Sequence, residues 1–114
     1  MKWIPGRQNS GYSKALLFEA SWPLKFDVYV LKFPPGSQIR PHTDPVEGYR
    51  HFRANIILKR AIGGLFRVVP QSGIKSYIYR GRRLVIFRPD LIPHSVSEVL
   101  LDTRWVLSIG WLRR

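Results

Sequence analysis

The chain has 114 residues, of which 45% are hydrophobic and 13% aromatic, so it can bury a core and need not be disordered. With 19 Lys and Arg against 7 Asp and Glu, the formal net charge is +12, which favours polyanions or acidic ligands as partners. Because there is no cysteine, disulfide frameworks and thiolate metal sites are excluded, and any metal must be held by histidine and carboxylate.

The first part of the chain is predicted to form a loose arm and one short helix. Residues 1–12 are rich in Gly, Asn, Ser and Arg, whereas SKALLFEA at 13–20 combines a candidate N-cap with good helix formers. No stretch approaches the roughly 18 apolar residues of a membrane span, and the start does not resemble a signal peptide. We therefore expect a cytoplasmic protein without a membrane segment.

The remaining sequence alternates short runs of β-branched and aromatic residues with Gly- and Pro-rich turn signals, a pattern typical of an antiparallel sandwich or barrel. It predicts an all-β jelly roll of about eight strands, with the short N-terminal helix packed outside. We expect one domain over 1–114, with its core at about 25–112. The predicted strands are KFDVYVLKF (25–33), QIRPH (38–42), FRANIILK (52–59), LFRVV (65–69), KSYIY (75–79), RLVIF (83–87), HSVSEVL (94–100) and TRWVLSIGWL (103–112).

A histidine and an aspartate lie two positions apart in RPHTDP, at the end of a predicted strand. Residues i and i+2 of an extended chain point to the same side, so His42 and Asp44 can bind one ion together. The alternative is a turn in which Asp44 accepts backbone hydrogen bonds beside Pro45. His94 opens a later predicted strand and offers a third ligand. Two histidines and one carboxylate form the facial ligand set of non-haem Fe(II) oxygenases.

Arg104 begins the last predicted strand and is a candidate anion-binding residue. We expect the strands that begin at His94 and at Arg104 to be antiparallel neighbours, joined by a tight turn around Leu101 and Asp102. That pairing would bring Arg104 into the same cavity as the histidines. A buried guanidinium is best paired with a planar carboxylate, although an arginine on a strand edge can also be solvated.

From about 25 to 112, the chain resembles the double-stranded β-helix core of Fe(II)- and 2-oxoglutarate-dependent dioxygenases. The resemblance rests on YVLKFPPGSQIRPHTD, GGLF and RRLVIFRPDLIPHSV, followed by Arg104 on the final strand. It implies a cupin-like fold that uses Fe(II), 2-oxoglutarate and O2, and a hydroxylation coupled to decarboxylation of 2-oxoglutarate to succinate. It also implies that His42, Asp44 and His94 bind the iron as the catalytic centre, and that Arg104 pairs with the distal carboxylate of 2-oxoglutarate.

Two subfamilies are similar to different segments of the chain. RANIIL, GGLFRV and FRPDLIPHSVSEVLLDTRWVLSIGW resemble the aspartyl/asparaginyl β-hydroxylases, which implies cosubstrate contacts for Arg53 and Asn55. The KFPPG and HTD segments resemble prolyl hydroxylases equally well, and Asp44 departs from the first group, which often lacks the aspartate ligand. Tyr29 shares a strand face with Phe33, where it either donates to a cosubstrate carboxylate or packs in the core.

The sequence leaves the primary substrate open between a protein side chain, a nucleobase and a small molecule. Its charge favours an anionic or macromolecular substrate, nucleic acid included, with Arg80, Arg82, Arg83, Arg113 and Arg114 as the sites to which a polyanion would bind.

Because few residues remain to form a lid, we expect a large substrate or a second subunit to cover the pocket, and the latter predicts a homodimer. His51 is expected not to be a ligand. Two other interpretations are a non-catalytic basic β-barrel that binds nucleic acid and a cupin-like metal protein without oxygenase activity.

Overall fold

The computed structural model describes residues 2–6, 10–21, 25–74, 76–79, 81 and 83–114, so Arg80 and Arg82 of the predicted basic cluster lie outside the described residues. The described residues form antiparallel strands in one seven-stranded sheet and two smaller sheets, which confirms the all-β jelly-roll prediction. The strands are β1 (Trp3–Pro5), β2 (Ser13–Ala20), β3 (Lys25–Phe33), β4 (Ile39–His42), β5 (Arg50–Lys59), β6 (Ile62–Gly63), β7 (Phe66–Val68), β8 (Tyr77–Tyr79), β9 (Leu84–Phe87), β10 (His94–Val96), β11 (Val99–Leu101) and β12 (Arg104–Arg113).

The large sheet has the order β1-β2-β3-β12-β5-β9-β8, with β12 at its centre. Along its length β12 pairs with β3 on one side and with β5 on the other, so that Ser108 lies opposite both Tyr29 and Asn55. Burial alternates along β12, because Arg104, Val106 and Ser108 face inward while their neighbours face outward.

The core lies between the large sheet and the smaller sheets β4-β10-β7 and β11-β6. Phe33 and Val106 from the large sheet pack against Val96 of β10 and Val99 of β11, and all four side chains are buried. Phe33, Val96 and Val106 of this core also line a cavity between the sheets. Polar side chains, among them Arg53, Asn55 and Arg104, line the same cavity.

The predicted helix at 13–20 is wrong, because these residues form β2. They pair with β1 on one side and with β3 on the other, so the backbone donors and acceptors are satisfied by neighbouring strands. The helix propensities of ordinary residues differ by less than about 1 kcal/mol per residue. Pairing with a strand on each side outweighs so small a preference. Among the described residues, no helix has the length and apolar composition that a membrane span requires.

The predicted pairing of the strands that begin at His94 and Arg104 is also wrong. The expected turn is present, and Asp102 adopts a left-handed φ of 68° there. However, β10 pairs with β4 and β7, β11 pairs with β6, and β12 lies in the large sheet. The turn therefore carries the chain from a small sheet to the large one, and Arg104 enters the cavity from the sheet opposite His94.

Candidate metal and cosubstrate site

Three potential metal ligands converge where β4 and β10 pair. His42 and His94 are direct register partners, and their ring centroids lie 4.3 Å apart. Asp44 follows β4, and its Oδ2 lies 3.3 Å from His42 Nε2 and 3.2 Å from His94 Nε2. One ligand atom from each residue lies within 4.8 Å of the other two, so the three side chains surround one position.

Backbone carbonyls fix the orientation of both imidazole rings. His42 Nδ1 lies 2.7 Å from the Arg40 carbonyl oxygen, and His94 Nδ1 lies 3.0 Å from that of Ile92. A carbonyl oxygen only accepts, so each Nδ1 carries the proton, and in a neutral ring each Nε2 then presents a lone pair to the Asp44 carboxylate. A metal cation between the two lone pairs and the carboxylate would satisfy all three groups.

The spacing of these donors fits a divalent ion in an octahedral site. Two donors bound at about 2.1 Å and at right angles lie about 3.0 Å apart, close to the two distances from Asp44 Oδ2. Both histidines would then be cis to Asp44, which leaves three coordination positions for other ligands. Imidazole and carboxylate donors in this arrangement suit iron and related transition metals.

The loop 88–90 holds Asp44 in place. The Asp44 backbone N–H donates to the Pro89 carbonyl at 2.6 Å, while the Arg88 guanidinium donates to Asp90 Oδ2, also at 2.6 Å. The backbone N–H of His51 donates to the same Asp90 carboxylate at 3.3 Å. Burial alone would raise the pKa of Asp90, but the hydrogen bonds from Arg88 and His51 hold that pKa below its ordinary value. The loop 88–90 therefore supports a potential metal ligand.

His51 lies in the cavity wall without joining the three potential ligands. It is 8% exposed, and its Nδ1 is 3.2 Å from the Asp44 carbonyl oxygen. Burial lowers the pKa of His51 although the Asp44 carbonyl opposes this shift, so the ring is neutral at physiological pH. Among the described residues, only His42, Asp44 and His94 form a group that could hold a metal ion.

Every residue proposed for the site from the sequence lines one cavity of about 260 Å³. The three potential metal ligands come from β4, the residues that follow it, and β10 of the small sheet. The other four come from the large sheet, one from β3, two from β5 and one from β12. They are Tyr29, Arg53, Asn55 and Arg104.

Arg104 is a buried cation that no carboxylate of the described residues neutralises. It is 4% exposed, and its guanidinium lies 5.1 Å from the centre of the Phe33 ring. Gly64 makes room for it, because a Cβ at Gly64 would lie 3.0 Å from Arg104 Cδ. Burial, with a smaller contribution from Arg60, lowers the pKa of Arg104 to about 10. No ion pair joins Arg104 to another residue in the described part of the chain, so an anion in the cavity would be its partner.

Arg53, in contrast, is already paired. Its guanidinium donates to Asp27 Oδ1 at 2.9 Å and to Ser108 Oγ at 2.7 Å, and Ser108 donates onward to Asn55 Oδ1 at 2.6 Å. This network crosses β3, β12 and β5 and forms a polar floor for the cavity. Arg53 is thus placed to orient neighbouring groups, and Asn55 also lines the cavity.

Two further cavity residues were not identified from the sequence. Lys14 and Tyr12 line the cavity from β2 and the residues before it, with Lys14 Nζ 5.0 Å from the Tyr29 ring centre and Tyr12 stacked on Phe33. A period of two places Tyr12 and Lys14 on one face of an extended chain, whereas the sequence predicts a loose arm up to residue 12 and a helix from residue 13. Burial, and then the charge of Asp27, raises the pKa of Tyr29, so its hydroxyl remains a donor.

The polar floor depends on the absence of a side chain at Gly110. A Cβ at Gly110 would collide with the guanidinium of Arg53, which lies across β12 to reach Asp27. We expect Gly110→Ala to lower the free energy of unfolding by about 2 kcal/mol, because the guanidinium must leave its two acceptors. Urea unfolding measures this cost.

A double-mutant cycle separates this clash from a general effect of alanine on β12. In an Arg53→Ala background the added methyl group meets no guanidinium, so Gly110→Ala should change stability by less than about 0.5 kcal/mol. Equal costs in the two backgrounds would show that Arg53 does not determine the glycine.

No protein-family model and no curated protein matches the chain. Among solved structures, a Pseudomonas putida prolyl-4-hydroxylase has a TM-score of 0.72 and 21% sequence identity, over 99% of this chain and 78% of that one. The viral collagen prolyl hydroxylase from Paramecium Bursaria Chlorella virus-1, solved as a 2-oxoglutarate complex, has a TM-score of 0.60 and 13% identity, over 90% and 79%. A cupin-2 domain from Rhodospirillum rubrum has a TM-score of 0.59 and 14% identity, over 99% and 70%. These likenesses show that the chain has the fold shared by cupins and 2-oxoglutarate oxygenases.

Proposed function

We propose that this protein is a non-haem Fe(II)- and 2-oxoglutarate-dependent dioxygenase that hydroxylates its substrate. One observation carries the proposal. A single cavity contains two histidines and one carboxylate directed at a common point, together with a buried guanidinium that lacks a carboxylate partner among the described residues. A metal site alone would not require a buried Arg104, and an anion site alone would not require the converging ligands.

Each side chain has a distinct role in this proposal. His42, Asp44 and His94 would hold Fe(II) and leave adjacent positions open, while Arg104 would pair with the distal carboxylate of 2-oxoglutarate. Tyr29 and the amide nitrogen of Asn55 would donate hydrogen bonds to the same cosubstrate. Arg53 is held by Asp27 and would act as a positioning residue through Ser108 and Asn55.

When bound, iron and 2-oxoglutarate would supply the oxidation. One oxygen atom of O2 enters the substrate as a hydroxyl group and the other enters succinate, with release of CO2. The protein contributes orientation and exclusion of water. His94 is buried, Phe66 and Phe87 pack around its ring, and the Asp44 side chain is 39% exposed at the more open side of the site.

The small cavity favours a substrate that reaches in from outside. Its volume of about 260 Å³ lies just below the range of about 300–1,000 Å³ that ligand pockets span, so 2-oxoglutarate would occupy much of it. A side chain or base presented by a larger molecule would fit this arrangement, and the net charge of +12 favours an acidic molecule.

Anaerobic titration tests the proposal. Adding Fe(II) and then 2-oxoglutarate to the wild-type chain should produce a visible metal-to-ligand charge-transfer band, and O2 should then yield succinate. A His42→Ala chain serves as the control and should give neither signal. If the wild type gives no more signal than this control, the oxygenase proposal is wrong.

The cupin neighbour supports a second candidate, a metal-binding cupin without oxygenase activity. The same titration distinguishes the two functions. Such a protein would bind the metal through His42, Asp44 and His94, but 2-oxoglutarate would produce no charge-transfer band and O2 no succinate.

A further inference from the structure

Cations crowd one end of the large sheet, where β12 ends and both β3 and β5 begin. Arg113 of β12 and Arg50 of β5 are register partners, so their side chains leave the sheet on the same face. Like charges directly opposite each other on neighbouring strands are destabilising. Arg50 also donates to the Arg114 carbonyl oxygen at 2.9 Å, so a third arginine belongs to the same cluster. An anion bound here would relieve the repulsion among these side chains.

Two cations of this cluster lie over the ring of Tyr49. Lys25 Nζ is 4.7 Å and the Arg114 guanidinium carbon 5.2 Å from the ring centre, and Arg114 also donates to the Tyr49 hydroxyl at 3.2 Å. Among the described residues, no carboxylate side chain forms an ion pair with any cation of the cluster. We call the four exposed cations the basic edge, which consists of Lys25, Arg50, Arg113 and Arg114.

Aromatic rings adjoin the basic edge on the outward face of the sheet. Trp111 lies two residues before Arg113, and Phe52 lies two residues after Arg50, so the pair of rings is about 6.8 Å along the sheet from the pair of arginines. The two rings stack with centroids 5.8 Å apart, and the Arg88 guanidinium lies 5.2 Å from the centre of the Phe52 ring. Both aromatic side chains are partly exposed, so ring surface remains open to a ligand.

We propose that the basic edge and the adjoining rings of Trp111 and Phe52 bind single-stranded nucleic acid. Phosphate groups would pair with the four cations, and unpaired bases would stack on the aromatic rings. An acidic polypeptide could pair with the cations but has no base to place on the rings. The combination of cations and rings therefore favours nucleic acid, whose dense negative charge also suits a chain with a net charge of +12.

The basic edge lies at the end of the sheet where the metal site is more open. Arg50 precedes His51, whose Nδ1 lies 3.2 Å from the Asp44 carbonyl oxygen, and the Asp44 side chain is 39% exposed. A nucleic-acid strand bound along the edge would therefore pass close to the potential metal ligands. Binding of the strand needs neither metal nor cosubstrate, so this inference does not rest on the proposed function.

Fluorescence anisotropy on the full chain, with EDTA present, tests the proposal. A labelled oligothymidylate of about 20 nucleotides should bind with a dissociation constant of about 10 µM or below at about 50 mM salt. A plot of log affinity against log salt concentration should have a slope of about −3, since each of four phosphate contacts contributes about −0.7. A wild type that does not bind at about 50 mM salt overturns the proposal and leaves the oxygenase proposal untouched.

The double variant Arg50→Gln/Arg113→Gln tests the basic edge. It should weaken binding at least about 10-fold and reduce the slope to about −1.5, because two phosphate contacts are lost. Lys59→Gln/Arg67→Gln is the matched control, since it removes the same charge from exposed positions at the far end of β5 and on β7. This control should keep the wild-type slope. Equal losses in the two double variants would show a general attraction to charge and overturn the site.

Trp111→Leu tests the stacking of bases. It should weaken binding about 5- to 100-fold without changing the salt slope, because a stacked base is lost while the phosphate contacts remain. A duplex of the same length and polyglutamate are the competing ligands. If either binds as tightly as the oligothymidylate, the proposal is wrong, because neither presents an unpaired base to the rings. Circular dichroism checks the fold of Trp111→Leu, and if this variant does not fold, the competing ligands decide the question.

Discussion

Replacing Asp44 with asparagine should lower the affinity for Fe(II) by more than about 100-fold, because it removes the only negative charge among the three potential ligands. The substitution keeps the size of the side chain and allows an amide N–H to donate to a histidine Nε2. The metal-free variant should therefore be at least as stable as the wild type. Anaerobic calorimetry with Fe(II), or absorption with Co(II) as a spectroscopic substitute, measures the affinity.

Thermal unfolding gives a second readout for Asp44→Asn. A metal that binds only the folded state raises the melting temperature, so Fe(II) should stabilise the wild type and not the variant. Glu47→Gln is the matched control, because it removes an exposed carboxylate from the same loop without touching the cavity. Equal metal affinity in Asp44→Asn and Glu47→Gln would exclude Asp44 as a ligand.

The strand pattern of this fold was predictable because turn residues mark nearly every strand end. The runs at 25–33 and 83–87 correspond closely to β3 and β9. The error at 13–20 has a physical reason, since Ala, Leu and Glu are good helix formers, whereas β2 is defined by its pairing with β1 and β3. Local propensity does not contain that information.

The site was only partly accessible from the sequence. Local spacing predicts that His42 and Asp44 point to one side of a strand, and the resemblance supplies His94 as their companion. The pairing of Arg53 with Asp27 depends on β12 lying between their strands, with Gly110 leaving room for the guanidinium. No short-range pattern indicates such a three-strand contact, so Asp27 and Gly110 emerge only from the sheet order.

Replacing Arg104 with methionine should have two effects of opposite sign. The dissociation constant for 2-oxoglutarate should rise about 10- to 100-fold, because a charge-assisted hydrogen bond to the distal carboxylate is lost. Without the cosubstrate the variant should be more stable than the wild type, by about 1–3 kcal/mol, because an unpaired charge no longer has to be buried. Fe(II) affinity should not change, since Arg104 is not among the potential ligands.

The pH dependence of this stability gain has a definite sign. Burial lowers the pKa of Arg104 to about 10 in the folded chain, from an ordinary value of 12.5. Below about pH 10 the group is charged in both the folded and the unfolded chain, so the cost of burial is fully present. That cost decreases only as the pH rises through the folded pKa. Urea unfolding at about pH 6 and about pH 8 should therefore give the same difference between variant and wild type.

Arg53→Met is the matched control, because Arg53 lines the same cavity but is paired with Asp27 at 2.9 Å. Removing it leaves a half-buried carboxylate without its cation, so this variant should lose stability where Arg104→Met gains it. Both effects follow from the free-energy cost of an isolated buried charge. Arg104→Met removes such a charge, whereas Arg53→Met creates one at Asp27. If Arg104→Met instead destabilises the chain and leaves 2-oxoglutarate affinity unchanged, Arg104 is a structural residue and the cosubstrate anchor lies elsewhere. Lys14, which also lines the cavity, is then the next cation to replace.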